Sequence, residues 1–307
     1  MSQYFNLTLD TTAPSSGSIT VSSYYKAAGN VSLSAQGASY MKVWVNQTAA
    51  GTTSDAEIPA SWEAYSNTKQ VSFTTQGTNY IHALFMDEVG NISSVVNSSA
   101  TIYDSVAPTI SSVSINSGDD YANNVSVTVR VSVSDTTSGV DYVTLSGDIS
   151  ETGDNAKFTF NATDRTNGYK DCAVTLSGAD GSKSISATAT DIAGNTSTSS
   201  SDTITLDTSA AEATLVLRES DDSANLPAYV NSTAFAAAVS TEDTDIVSYK
   251  IWGDIADATT EPESWTAASF SSGRMLISDL ALTSGEGLKT INVKIRDQGG
   301  NVTVLTP

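Results

Sequence analysis

Acidic and amide side chains recur in this sequence at a fixed step. Asp87-Glu88-Val89-Gly90-Asn91 returns as Asp191-Ile192-Ala193-Gly194-Asn195 and as Asp297-Gln298-Gly299-Gly300-Asn301, with the leading aspartates 104 and 106 residues apart. A second marker keeps nearly the same step: Asp10-Thr11-Thr12-Ala13-Pro14, Asp104-Ser105-Val106-Ala107-Pro108 and Asp207-Thr208-Ser209-Ala210-Ala211. An Asp that opens a turn can fold its carboxylate onto N–H groups two residues on. Gly supplies the left-handed conformation that closes a type I turn with a bulge, and Asn tolerates unusual dihedrals. Each pentad therefore reads as a β-hairpin turn, and two markers repeating in phase describe three copies of one unit.

Residues for covalent or acid–base chemistry are scarce. The chain has one histidine, His82, and one cysteine, Cys172, far apart in sequence, so no nucleophile–base pair is suggested. Nor does a glycine-rich phosphate loop open a helix, and a row of small units offers no evident cleft for two glycosidase carboxylates. The sequence reads as non-enzymatic. A lone cysteine makes neither an internal disulfide nor a thiolate metal cluster; in Asp171-Cys172-Ala173-Val174 it reads as a small core-facing residue.

The strands before the pentads can be stacked on their aspartates. Ile81, Ala83 and Phe85 align with Ile185, Ala187 and Ala189 and with Ile291, Val293 and Ile295. The intervening residues are His82 and Leu84, Ser186 and Thr188, and Asn292 and Lys294. Period-two alternation gives a buried and a wet face, and puts His82 on the surface. In the first copy, strands are expected near 18–21, 31–35, 41–45, 71–74, 80–86 and 92–96. Lys42-Val43-Trp44 matches Lys250-Ile251-Trp252, and Pro59-Ala60-Ser61-Trp62 matches Pro262-Glu263-Ser264-Trp265; these tryptophans read as sandwich packing. The middle copy lacks both and carries Ser134-Asp135-Thr136-Thr137-Ser138-Gly139-Val140 instead.

Length and period divide the 307 residues into an N-terminal arm, 1–9, and domains at 10–103, 104–206 (diverged) and 207–307, each the size of a β-sandwich. A formal charge of −20 excludes nucleic-acid binding by phosphate neutralisation and adhesion to an anionic membrane surface. No apolar run reaches the length of a membrane span, and the first residues lack the pattern of a signal peptide.

With both markers located, the chain resembles the bacterial immunoglobulin-like repeat families, whose repeats begin near Asp-x-x-Ala-Pro and carry Asp-x-Ala-Gly-Asn between the last two strands. The departures are Ala211 in place of proline, Glu88-Val89 and Gln298-Gly299 within the pentads, and a short closing strand in the third copy. The resemblance implies an all-β chain of three tandem immunoglobulin-like β-sandwiches forming an elongated rod. At roughly 3.3 Å per strand residue the rod is on the order of 100 Å long. In that fold the first strand begins at the end where the last two strands turn, so Asp10 meets Asp87 and Asn91, Asp104 meets Asp191 and Asn195, and Asp207 meets Asp297 and Asn301. Calcium takes six to eight oxygens, and the resemblance implies calcium stiffening at these junctions. The alternative is that the same residues cap turns with no ion; no cofactor is required.

Such repeats are similar to those of tailed-phage structural proteins and large bacterial adhesins. The expected role is a structural protein of a tailed-phage virion, a decoration or fibre-like component located on the particle, partnered by other virion proteins and by copies of itself. The alternative is an adhesin module of a bacterial surface protein that binds host glycans or proteins. Tyr4-Phe5-Asn6-Leu7-Thr8-Leu9-Asp10-Thr11 resembles Asp202-Thr203-Ile204-Thr205-Leu206-Asp207-Thr208, the closing strand of the second copy. Tyr4, Phe5, Leu7 and Leu9 are therefore candidates for a strand donated to a neighbouring chain; the alternative is that they lie on the first domain.

Overall fold

The computed structural model describes residues 7–52, 54 and 56–306. Tyr4 and Phe5 lie outside these residues, and Leu7 and Leu9 are exposed. The first stretch forms β1 Ser15–Thr20, β2 Tyr24–Tyr25, β3 Gly29–Gln36, β4 Tyr40–Asn46, β5 Glu63–Ala64, β6 Thr68–Val71, β7 Gly77–Met86, β8 Val96–Asn97 and β9 Thr101–Tyr103. The next forms β10 Thr109–Ile115, β11 Tyr121–Ala122, β12 Ser126–Ser134, β13 Val140–Gly147, β14 Lys157–Thr159, a short helix α1 Ala162–Asn167, β15 Tyr169–Thr175, β16 Gly181–Asp191 and β17 Ser200–Leu206. The last forms β18 Thr214–Glu219, β19 Ala234–Ser240, β20 Ile246–Gly253, β21 Thr266–Ala267, β22 Arg274–Ala281, β23 Ile291–Asp297 and β24 Val302–Leu305.

Strand order identifies the fold. The middle stretch pairs β10-β12-β15 in one sheet and β11-β17-β16-β13-β14 in the other, the two-sheet arrangement of an immunoglobulin-like sandwich. The first stretch repeats it with β1-β3-β6 facing β2-β9-β7-β4-β5, and the last with β18-β19-β22 facing β21-β20-β23-β24. Three clusters of buried apolar residues fill these sandwiches, one among residues 31–85, one among 115–206 and one among 211–305.

Alternation places the core as the sequence predicts. Ile81, Ala83 and Phe85, with Ile185, Ala187, Ala189, Ile291, Val293 and Ile295, are all buried. Burying one such side chain is worth about 1.5–3 kcal/mol. Cys172 is buried too, and burial pushes its thiol up to about 12, so it packs as an apolar residue.

Two expectations about the outer face fail. His82 is fully buried, and Leu84 nearly so. Gly51, in the β4–β5 connection, lies over this part of the sheet, so close that a Cβ there would come within 2.7 Å of His82 Nδ1. His82 packs on Trp44, with ring centroids 5.4 Å apart. Its Nδ1 lies 2.7 Å from Asn97 Oδ1 and its Nε2 lies 2.9 Å from Asn46 Oδ1. The tryptophans also divide: Trp44 is buried, whereas Trp62, Trp252 and Trp265 are half-buried. Lys42 stands over Trp62, Lys294 over Trp252, and Lys250 and Arg296 over Trp265. Such cation–π pairs keep the indoles at the surface instead of in the core.

One exposed pair supplies a calibration. Arg130 grips Asp171 through two bonds of 2.7 Å across β12 and β15, and the Arg130 guanidinium draws the Asp171 carboxyl below its ordinary value. Both side chains are nearly half exposed, so solvent screens the pair. Asp171→Asn should cost no more than about 1 kcal/mol in urea unfolding, and the difference should shrink in high salt. A larger cost that salt leaves unchanged would show a buried role for this pair.

Candidate metal centres at the sandwich junctions

A clasp closes every pentad: the Asp Oδ1 accepts from the Asn N–H, and in the first two the Oδ2 also accepts from the Asn amide. Asp87 Oδ1 accepts from the N–H of Val89 and of Asn91, and Asp87 Oδ2 from the Asn91 amide at 2.7 Å. Asp191 accepts likewise from Asn195 N–H at 2.8 Å and from its amide at 2.7 Å, and Asp297 Oδ1 accepts from Asn301 N–H at 2.7 Å. The asparagine amide also reaches the other marker. Asn91 donates to the Asp10 carbonyl at 3.2 Å, Asn195 to the Asp104 carbonyl at 2.9 Å, and Asn301 to the Asp207 carbonyl at 2.9 Å. The two markers repeat in phase because one hydrogen bond joins them. Gly90, Gly194 and Gly300 all take positive φ, as the turn requires.

Beyond the clasp the three copies diverge. Among the described residues, two groups of carboxylates have ligand atoms within 4.8 Å of one another: Asp104 with Asp135 and Asp191, and Asp207 with Asp245 and Asp297. The structure thus brings Asp104 to Asp191 and Asp207 to Asp297, with a third carboxylate from the β12–β13 or β19–β20 loop completing each group. The matching loop of the first sandwich, Gln36-Gly37-Ala38-Ser39, carries no acid, so Asp10 and Asp87 stand without a third carboxylate. The three asparagines spend their amides as donors and serve as clasps to the linker.

The second-sandwich group is wired by backbone donors. Asp104, fully buried, accepts from Val106 N–H and from Ser138 N–H, each at 3.0 Å. Asp135 accepts from Ser138 N–H at 3.0 Å and Gly139 N–H at 2.6 Å. The Ser138 hydroxyl is buried with no partner. In the third-sandwich group Asp297 is 1% exposed and its Oδ2 has no hydrogen-bond partner. Gly299 replaces the alanine of the middle pentad because a Cβ there would lie 2.6 Å from Asp207 Oδ2.

Electrostatics separates the groups in the same way. Burial raises Asp87, but bonds from Asn91, Val89 and Gly90 outweigh it, and the carboxyl titrates below its ordinary value. Burial raises Asp191, the Asn195 bonds oppose this, the Asp104 charge adds to it, and the net shift is upward. Burial likewise raises Asp245, helped by the charges of Asp297, Asp207 and Asp243. Crowded, buried carboxylates resist ionisation unless a cation joins them.

The donor set fits a hard divalent cation. It consists of three carboxylates, whose oxygen chemistry is the kind calcium takes, and in the third sandwich one carboxylate oxygen lies buried and unpaired. An unpaired buried acceptor is costly, and a cation would satisfy it.

A carboxyl raised on folding favours its protonated form in the native state. Its contribution to stability is complete below the ordinary 3.8 and is lost as pH climbs through the raised value. In chelator, Asp245→Asn should therefore become progressively more stable than the unsubstituted chain as pH rises from about 4 to 7, because the substitution removes a charge that the native state disfavours. Thermal unfolding at several pH values checks this; a difference that falls with pH would contradict it.

The sandwiches also touch end to end. Lys26 Nζ donates to the Gly194 carbonyl at 3.1 Å, and Tyr121 Oη donates to Gln298 Oε1 at 2.8 Å. In each contact the residue near the second strand of one sandwich meets the pentad of the next.

No protein-family model matches the sequence, nor does any curated protein sequence. Among solved structures, the chain is similar to fibronectin(III)-like modules of Clostridium thermocellum CbhA, at 16% identity and TM-score 0.33, covering 63% of this chain and 93% of that one. It is also similar to part of a 1.5-MDa bacterial ice-binding adhesin, at 14% identity and TM-score 0.36, covering 96% of each chain. A tetra-tandem repeat from the extending region of a large adhesion protein aligns at 16% identity and TM-score 0.27, covering 94% and 73%. The fold assignment rests on strand order. Among the described residues, no helix is long and apolar enough to cross a membrane.

Proposed function

We propose that the chain is a non-enzymatic structural protein of a tailed-phage virion, a decoration or fibre-like component that presents immunoglobulin-like domains at 10–103, 104–206 and 207–307 on the particle surface. Calcium at Asp104, Asp135 and Asp191, and at Asp207, Asp245 and Asp297, would stiffen the two junctions. The observation that carries the structural reading is the clasp: the chain's recurrent polar residues are spent tying each linker to the sandwich that follows it. The buried Cys172 thiol and the enclosed His82 ring, the residues best suited to covalent or acid–base chemistry, are both packing residues here, which favours a non-catalytic role. The repeat resemblance and the acidic surface favour display on a particle.

Density-gradient sedimentation of lysate from producing cells, followed by mass spectrometry, tests the virion reading. Co-migration with DNA-filled particles is the expected result, and recovery only with cell envelopes would contradict it. A second reading, a bacterial-surface adhesin module, is favoured by the half-buried Trp252 and Trp265 beside Lys250, Lys294 and Arg296 on one sheet. On that reading a glycan array gives binding that Trp265→Ala abolishes.

A further inference from the structure

The two carboxylate groups at the joints share a ligand pattern but differ in how far their oxygens are already satisfied. In the second sandwich nearly every oxygen has a donor. Asp104 accepts from Val106 and Ser138 N–H, one on each oxygen. Asp135 Oδ1 accepts from Thr137, Ser138 and Gly139 N–H. Asp191 takes the Asn195 N–H on Oδ1 and the Asn195 amide on Oδ2. The orphan there is the Ser138 hydroxyl, a neutral group that costs less to leave unpaired than a carboxylate oxygen. In the third sandwich Asp207 Oδ1 accepts one long bond, from Ser209 N–H at 3.3 Å, and Asp297 Oδ1 accepts from Asn301 N–H at 2.7 Å. The Asp245 carboxylate is met only by its own N–H. Asp297 Oδ2, on a residue 1% exposed, has no partner.

One change of hydrogen bonding frees that oxygen. The Asn195 amide divides its N–H groups between the Asp104 carbonyl and Asp191 Oδ2. The Asn301 amide instead donates to two linker carbonyls, those of Asp207 at 2.9 Å and Ser209 at 3.2 Å. The third residue of the pentad makes room for this arrangement. Where the second sandwich has Ala193 the third has Gly299, and a Cβ there would lie 2.6 Å from Asp207 Oδ2 and 3.0 Å from the Asn301 amide nitrogen. Alanine at 299 would displace both.

A carboxylate whose oxygens already hold N–H donors has part of its charge answered before a cation arrives. One whose oxygens face other carboxylates gains more from the same ion, which relieves an unpaired buried acceptor together with the mutual repulsion. We propose that the two joints take calcium in order: Asp207, Asp245 and Asp297 bind first, and Asp104, Asp135 and Asp191 bind only at higher free calcium. Gly299 and the turned amide of Asn301 set this order. Rising calcium therefore ties the linker between the second and third sandwiches before the linker between the first and second. The inference rests on the reading of these groups as calcium sites and adds the regulation of each joint by free calcium.

Calorimetric titration of the chelator-treated full chain with calcium tests the order. Two classes of site are expected, separated by about ten-fold or more in dissociation constant. Asp245→Asn should remove the tight class and Asp135→Asn the weak one. Gly299→Ala should weaken the tight class by about ten-fold and leave the weak class unchanged. Where that variant fails to fold in chelator, the two aspartate variants decide alone. Hydrogen exchange at a calcium concentration between the two constants should protect residues 207–211 while 104–108 exchange at their calcium-free rate. Indistinguishable sites, loss of the weak class in Asp245→Asn, or earlier protection of 104–108 overturns the order and leaves the calcium reading standing. No binding at millimolar calcium overturns both.

Discussion

Replacing Asn195 with alanine should lower the melting temperature of the second sandwich by more than about 10 °C. The substitution keeps the backbone bond from residue 195 to Asp191 Oδ1 but removes both amide bonds, to the Asp104 carbonyl and to Asp191 Oδ2. Asp191 is 1% exposed, so its oxygen cannot turn to bulk water. Each buried acceptor left unpaired costs about 1–3 kcal/mol, giving about 3 kcal/mol for the two. For a unit of this size each kcal/mol moves the midpoint by about 4–8 °C. Asn91→Ala should cost far less, because Asp10 is exposed and its carbonyl bond is longer. Thermal unfolding of the two variants checks the ranking. Equal losses would mean that the pentad acts only as a hairpin turn, independently of the linker.

The second large effect concerns calcium. At pH 7, adding calcium to chelator-treated protein should stabilise the third sandwich by about 2.7 kcal/mol once free calcium reaches one hundred times its dissociation constant. The reason is local: Asp297 Oδ2 is buried and unpaired, and Asp245 is held up by burial and by the neighbouring carboxylates. A bound cation removes both penalties together. The shift should disappear in Asp245→Asn and be smaller at pH 4, where a proton competes with calcium for the raised Asp245 carboxyl. An equal calcium shift in Asp245→Asn would place the stabilising ion elsewhere.

Much of this was legible in the sequence. The period-two stacks ending at Asp87, Asp191 and Asp297 located the buried strand of each sandwich, and the two markers located the joints. The third carboxylates were harder to see. Asp135 and Asp245 lie in loops of different sequence, have no counterpart in the first copy, and reach the site only through the fold. Their signal was an acid a few residues before the strand that pairs with the pentad strand, and that is visible only once the pairing is known. His82 misled because alternation describes a strand's two faces but not what lies over them, and here Gly51 of the β4–β5 connection lies against its ring. The lysines and arginine beside Trp62, Trp252 and Trp265 similarly turned an apparent core signature into a surface one.

Calcium stoichiometry tests the account most directly. Isothermal titration of the chelator-treated full chain should give two sites per chain, with Asp135→Asn and Asp245→Asn each losing one and the double variant losing both. Three equivalent sites would mean that Asp10 and Asp87 suffice without a third carboxylate. No binding, or two sites retained in both single variants, would contradict the assignment of these junctions as metal centres.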